Sequence, residues 1–360
     1  MKECLLACVV LLLSALAHAA APVVEKTARP RSVSAATGAS DAERYSRRCQ
    51  SQAAHRIARP QGTMLWGTRR DWDTEKVADE RGSVLVSADL APPRRADAPV
   101  KALRLEGGHL VAEPSSGGVV GTVLQGTASD GRPVEVAICG AEPSPEDPSM
   151  VWYRIEAWNA LAQEWENPCI ALDRVPDPRA LAVSGVWDVS GARRDVPGKL
   201  TFACENGAIS KCIGWGYKPW ASREGQSLTD LHQACTRMAR ADYCGNGRNH
   251  THEDTTIDMY DRLGVIERAT EVSADWDPAR GSFEAAWAPD GATCLGHTRD
   301  GRALASILQE CPQRFSAASV TELGQGDRCE VQRTDVNPGT ALLRNRSYGA
   351  AAGATSGGGR

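Results

Sequence analysis

GTVLQGTASDGRPVEVAI, residues 121–138, reads as a β-hairpin. Alternating runs at Gly121 to Thr127 and Val134 to Ile138 flank Asp130-Gly131, and Asp-Gly between such runs is the strongest short hairpin signal. Upstream, Thr63 to Trp66, Val84 to Val86 and Ala102 to Leu105 are short strand-like runs divided by Gly, Pro and charged residues. Downstream, Met150 to Trp158 alternates and Cys169 to Leu172 ends the region, so residues 61–175 are expected to form an antiparallel β-rich unit.

Pro176-Asp177-Pro178 breaks the chain, and residues 176–332 read as a second, cysteine-rich α+β unit. Val183 to Val189 resembles a strand, and Leu200 to Cys204 is expected to turn at Asn206-Gly207 into a strand at Ala208 to Cys212. Ser227 is the expected N-cap of a helix over Leu228 to Arg240, whose apolar residues recur at helical spacing. Asp258 to Leu263 is read as a further helical turn, and Arg302 to Gln309 as a short helix stopped at Cys311-Pro312. The Ala-, Ser-, Arg- and Pro-rich leader at 20–60 and the tail at 333–360 are expected to be disordered, apart from a short polar helix at Asp41 to Arg48. The fold class that follows is α+β and β-rich: antiparallel strands and hairpins with few short helices, stapled by disulfides.

The compartment is read from the first residues and the cysteines. Lys2, the apolar run Leu5 to Leu16 and the small-x-small triplet Ala17-His18-Ala19 read as a signal peptide over residues 1–19. The apolar run is too short to span a bilayer and no second one follows, so no transmembrane span is expected in the mature chain. Ten cysteines remain: Cys49, Cys139, Cys169, Cys204, Cys212, Cys235, Cys244, Cys294, Cys311 and Cys329. An even count in an exported chain points to disulfides, hence to a secreted or periplasmic protein. No CxxC occurs, which weighs against zinc ribbons and thioredoxin-like chemistry. The pairing stays open, with Cys139–Cys169 a plausible cross-strand staple. Cys235 and Cys244, nine positions apart and roughly 13 Å along a helix, should each reach a different element. A net charge of −4 gives no electrostatic reason to expect nucleic acid as a partner.

Phe202-x-Cys204, Lys211-Cys212, Gly216-Tyr217-Lys218-Pro219-Trp220, His232-Gln233-Ala234-Cys235, Arg240-Ala241-Asp242-Tyr243-Cys244-Gly245 and Ile257-Asp258-x-Tyr260-Asp261 form a spaced set. Phe283 to Trp287 and Cys294 extend it. Together they resemble the ADYC domain of exported bacterial, myxobacterial-type proteins, over about residues 121–311. The resemblance implies an extracytoplasmic location and a disulfide framework; it implies no reaction.

Chemistry is sought at His250-Thr251-His252-Glu253-Asp254. His250, His252 and Glu253 are the candidate ligands of a divalent metal, and His250, Asp254 and Asp258 the candidate catalytic groups. The spacing is not that of HExxH or of an EF-hand loop, and a polar loop whose side chains cap turns is the simpler reading. Asp242 at a helix end is expected to accept backbone N–H bonds or to pair with Arg240 or Arg248. Trp215 and Trp220 around Tyr217 form either a sugar-stacking platform or, the preferred reading, a cluster packed over the helix. Two functions follow. The first is a non-enzymatic envelope or secreted module, with no cofactor, that binds an extracellular protein or polysaccharide; the second is a metal-assisted hydrolase centred on the His250–Asp261 loop.

Overall fold

In the chain segment that carries the hairpin, β5 and β6 pair as the sequence indicates, and the pair is one third of a closed barrel. A computed structural model describes residues 40–50, 63–65, 83–90, 92–97, 100–114, 118–160, 162–169, 171, 174–251 and 255–348. The signal peptide at 1–19, the rest of the leader and the tail from 349 onward lie outside the described residues. In chain order the first part has helix α1 (Asp41–Ser46), then β1 (Thr63–Leu65), β2 (Ser83–Asp89), β3 (Ala102–Glu106), β4 (His109–Glu113), β5 (Val123–Ala128) and β6 (Pro133–Pro143). β7 (Val151–Asn159), β8 (Glu164–Glu166), β9 (Ala180–Ser184) and β10 (Lys199–Cys204) follow. The second part has helices α2 (Ala208–Gly214) and α3 (Thr229–Arg240), then β11 (Ile257–Asp261), β12 (Ser282–Ala288) and β13 (Gly291–Leu295). It ends with α4 (Leu304–Glu310), β14 (Phe315–Gly324), β15 (Asp327–Arg333) and β16 (Leu343–Ser347). Strands hold 39% of the described residues and helices 13%, so the cores are built on sheets.

The order β2-β10-β9-β7-β6-β5 closes on itself because β5 also pairs with β2, giving a six-stranded antiparallel barrel. Closure leaves no free edge among these six strands. Side-chain alternation sorts the residues. Leu124, Ile138, Tyr153, Ala182, Leu200 and Phe202 face inward, and the β3–β4 hairpin contributes Leu103, Leu110 and Ala112 to the same core. Their neighbours in the strands, Trp152, Leu181, Val183 and Ala203, face outward and are covered by Ile209 and Ile213 of α2. On another outer face Val123 and Ala137 meet Tyr45 of α1 and Trp165. The second sheet runs β11-β16-β12-β13-β15-β14, all antiparallel. α3 lays Leu231, Ala234, Cys235 and Met238 against Trp287, Leu295 and Leu343 of this sheet.

Five disulfides join the layers: Cys49–Cys139, Cys169–Cys204, Cys212–Cys235, Cys244–Cys311 and Cys294–Cys329. Cys139 does not pair with Cys169. Cys139 lies with Cys49 against the outer cluster under α1, whereas Cys169 and Cys204 belong to the barrel interior, so the sheet separates them. Cys235 and Cys244 do reach different elements, α2 and the end of α4.

Several expectations are corrected. Residue 176 is not a domain boundary, because β9 and β10, which follow it, complete the barrel with strands that precede it. Ala208 to Cys212 is helix rather than strand: Ile209 and Ile213 recur at i, i+4 and both pack on the barrel. Asp258 to Leu263 is not helical; Ile257–Asp261 forms an edge strand paired with Leu343–Ser347. That partner lies in the stretch read as a disordered tail, yet it sits inside the second sheet between β11 and β12. In the leader, the short polar helix expected at Asp41 to Arg48 does form, as α1 (Asp41–Ser46). Ser40 caps α1 through Glu43 N, Tyr45 Oη donates to Glu135 at 2.6 Å, and Cys49 is tied to β6.

Candidate functional site

α3 ends in a Schellman turn that sets up the Ala-Asp-Tyr-Cys corner. Asp242 N donates to Arg237 O at 2.9 Å and Ala241 N to Met238 O at 2.9 Å, with Ala241 in the left-handed region at φ 51°. Glycine is the usual residue there; Ala241 is fully buried, so a small side chain is held at that position. The next turn needs true glycine, since a Cβ on Gly245 would lie 1.8 Å from Asp290 O.

Each motif side chain then enters the interior. Asp242 is completely buried and pairs with the equally buried Arg237 at 2.5 Å. Its oxygens also accept from Asn246 N (3.1 Å) and Gly247 N (2.9 Å), closing the loop below the helix. The partner is Arg237, one turn back, rather than Arg240 or Arg248. Tyr243 stacks on Trp287 with centroids 5.4 Å apart; its hydroxyl accepts from Arg299 N (2.7 Å) and donates to Glu284 Oε1 (3.2 Å). Burial, and then the Glu284 charge, hold the phenol well above its ordinary pKa, so it stays protonated. Glu284 and Arg299 form a fully buried bidentate pair at 2.8 and 3.0 Å, and Asn345 Nδ2 donates to Glu284 Oε2 at 2.9 Å. Burial alone would push the Glu284 carboxyl up, but the Arg299 charge and hydrogen bonds outweigh it and keep it below the usual range. Cys244 is tied to Cys311.

His250 is buried and donates from Nδ1 to Ala241 O at 3.0 Å, while Nε2 meets Glu310 Oε2 at 3.0 Å. Both ring nitrogens are thus engaged inside the corner, and a metal at either one would have to displace a bond to Ala241 or Glu310. Burial raises the Glu310 carboxyl, but the His250 hydrogen bond and charge more than offset this and hold it below its ordinary pKa. Asp258 is not beside His250. It accepts Arg346 Nε and Nη2 at 2.8 and 2.6 Å and Ala269 N at 3.0 Å. Asp261 caps its own turn through Leu263 N and Ile266 N and receives the Tyr217 hydroxyl at 3.1 Å. No hydrogen bond or ion pair among the described residues joins His250 to either acid. His252, Glu253 and Asp254 lie outside the described residues. The described residues do place Cys49, Cys139 and Glu156 with donor atoms within 4.8 Å, but the two sulfurs are bonded to each other. No sugar platform is assembled at the aromatic loop: Tyr217 is fully buried and the Trp220 ring lies against Gly107 and Gly108.

Residues 116–301, just over half of the chain, match the family model of the ADYC domain. The chain belongs to the ADYC-domain family. No curated protein and no solved structure gives a match. The motif that names the ADYC domain is thus a helix-ending corner whose groups are engaged internally. The matched segment is narrower than the folded unit: β2, which closes the barrel, and α4, β14, β15 and β16 lie outside it. Glu310, Cys311 and Asn345, which complete the ADYC corner, come from these outer parts.

Sequence reading missed Arg237, Glu284, Arg299, Glu310 and Asn345, because nothing local marks a charged residue as buried. It also passed over His232, fully buried on α3 with Nε2 3.0 Å from Ile209 O and its ring edge-on to Trp187. Burial pushes this histidine down to about 4. The folded state therefore refuses a proton that the unfolded state accepts. Its contribution is complete above the ordinary histidine pKa and is lost as pH falls from about 6.5 to about 4, a total of about 3 kcal/mol. Urea midpoints at pH 7.5 and pH 4 should show this loss. His232→Gln, which keeps an N–H for Ile209 O, should flatten the slope; an unchanged slope would clear His232 of the role.

Proposed function

We propose that this chain is a non-enzymatic exported binding module, in which two sheets locked by disulfides present surface to an extracellular partner. The observation that carries this reading is that the corner's carboxylates, phenol and imidazole are used up in internal bonds. A catalytic group must instead reach a substrate atom. Export is supported by the pairing of all ten cysteines among the described residues, which form and keep disulfides in oxidising compartments. Among the described residues no helix is long and apolar enough to cross a membrane.

The hydrolase reading requires metal at the His250–Asp261 loop. Native mass spectrometry of oxidised protein, incubated with Zn²⁺ or Ca²⁺, decides between the two. The expected spectrum is metal-free, for the parent and for His252→Ala alike. His252→Ala leaves the buried bonds of His250 in place, so stoichiometric metal in the parent that disappears in this variant would overturn the module reading and make the loop a site.

A further inference from the structure

A cleft of about 610 Å³ opens beside the edge strand β11, and its lining shares no residue with the Tyr243–Glu284–Arg299 network. Tyr260, Glu267, Arg268, Thr270, Gln325 and Arg346 are among its walls. The size suits a ligand of one or a few sugar or peptide units.

Arg268 is the organised element. Its Nη1 donates to Gln325 O at 2.5 Å and lies 3.6 Å from Asp327 Oδ1, and the guanidinium sits over the Tyr260 ring, 5.3 Å from its centroid. Asp327 is fully buried, accepts from the Tyr260 hydroxyl at 2.7 Å and also receives Arg344 Nη1 at 3.2 Å. Two guanidinium groups thus share one carboxylate, while Glu267 adds a carboxylate to the lining, so what Arg268 offers a ligand is its fork geometry rather than a net positive field. All the hydrogen bonds of Arg268 to described residues start from Nη1, which leaves the Nε–Nη2 edge without a partner there. That edge is the fork that takes a carboxylate through two parallel bonds. The side chain is 22% exposed and already anchored at three points, so little order remains to be imposed on binding. Arg346 is similar: Nε and Nη2 serve Asp258 and Ala269 O, and Nη1 makes no bond to a described residue. Around these donors stand the Thr270 hydroxyl, the Gln325 amide and the Glu267 carboxylate, groups that exchange hydrogen bonds with ring hydroxyls.

We propose that this cleft is a subsite for an acidic saccharide, with the Nε–Nη2 edge of Arg268 holding the carboxylate of a hexuronate unit. Arg346 Nη1 and the Thr270 hydroxyl take ring hydroxyls. Ile266, Ala269 and Pro278 stand beside these donors and acceptors, a mixture that suits a sugar ring with its apolar face and polar rim. The assignment rests on the binding-module reading and names its ligand class.

Isothermal titration of the oxidised full chain with trigalacturonate, beside uncharged maltotriose, tests it. Trigalacturonate should bind, more weakly as salt rises, and at least about tenfold more tightly than maltotriose, the value of one charge-assisted hydrogen bond. Arg268→Lys keeps the charge above Asp327 but lacks the fork, and should lose about tenfold at unchanged thermal midpoint. Thr270→Ala, at an exposed position, gives a second variant with a smaller loss. Equal binding of both sugars, no binding of trigalacturonate, or full binding by Arg268→Lys would each overturn the subsite. None of these would touch the module reading, which stands or falls on the metal spectrum.

Discussion

Arg299→Met should lower the unfolding free energy by about 3–5 kcal/mol, seen as a large drop in the urea midpoint. Arg299 and Glu284 are 1% and 0% exposed in their side chains. Removing the guanidinium leaves a carboxylate in the core with only neutral partners, Asn345, Ser347 and the Tyr243 hydroxyl. It also strips Met238 O and Ala239 O, carbonyls of the last turn of α3, of the Arg299 donors at 2.8 and 3.2 Å. The pH response separates this mechanism from a packing defect. In the parent, the depressed Glu284 carboxyl supplies stability above the ordinary glutamate pKa, and that stability is lost as pH falls through its folded value. Without the Arg299 charge, burial outweighs the remaining neutral hydrogen bonds, so the folded carboxyl is raised and the variant should gain stability as pH falls from 8 to 5. Arg302→Ala, removing a half-exposed partner of Asp300, is the matched control and should cost under about 1 kcal/mol. A similarly small loss for Arg299→Met, with no inverted pH slope, would show that the network does not carry the corner.

The parts legible in the sequence were those decided by neighbours in the chain. Asp130-Gly131 sits between runs that pair with each other, so the hairpin was legible, although the register closes around three loop residues, with Ala128 opposite Arg132. α3 was legible because Leu231, Ala234, Cys235 and Met238 repeat at helical spacing and all meet one sheet. The barrel closure was not legible: β2 and β5 meet through long-range pairing that turn chemistry does not encode. β16 failed for the same reason. Leu-Arg-Asn-Arg-Ser is polar and looks like tail, yet Asn345 bonds Trp287 and Glu284 and Arg346 bonds Asp258 inside the sheet. At the site, Asp242 was rightly expected to act structurally, accepting the N–H groups of the turn. Its arginine was misassigned because the Schellman turn folds the chain back onto Arg237. The His250 partner could not be found at all, since Glu310 is 60 positions away at the end of another helix.

Asp242→Ala carries the second large expectation, again about 3–5 kcal/mol, because it strands the Arg237 guanidinium in a dry environment. Arg237 keeps Ser190 O at 2.5 Å and Pro289 O at 3.2 Å, but neither carbonyl bears a charge. Asn246 N and Gly247 N lose their acceptor in the same step, so the loop that brings His250 beneath Ala241 is loosened as well. Asp242→Asn should fall short of full rescue, since an amide keeps one acceptor and remains neutral opposite the arginine. The double variant Arg237→Met with Asp242→Asn should recover part of the loss, giving a coupling energy on the order of 2 kcal/mol. These stabilities also bear on function. A catalytic aspartate can be removed with the fold intact, and a catalytic Asp242 would give a variant with the parent's midpoint. A variant that unfolds early, and whose partner mutation repairs it, places Asp242 in the architecture that holds the corner shut.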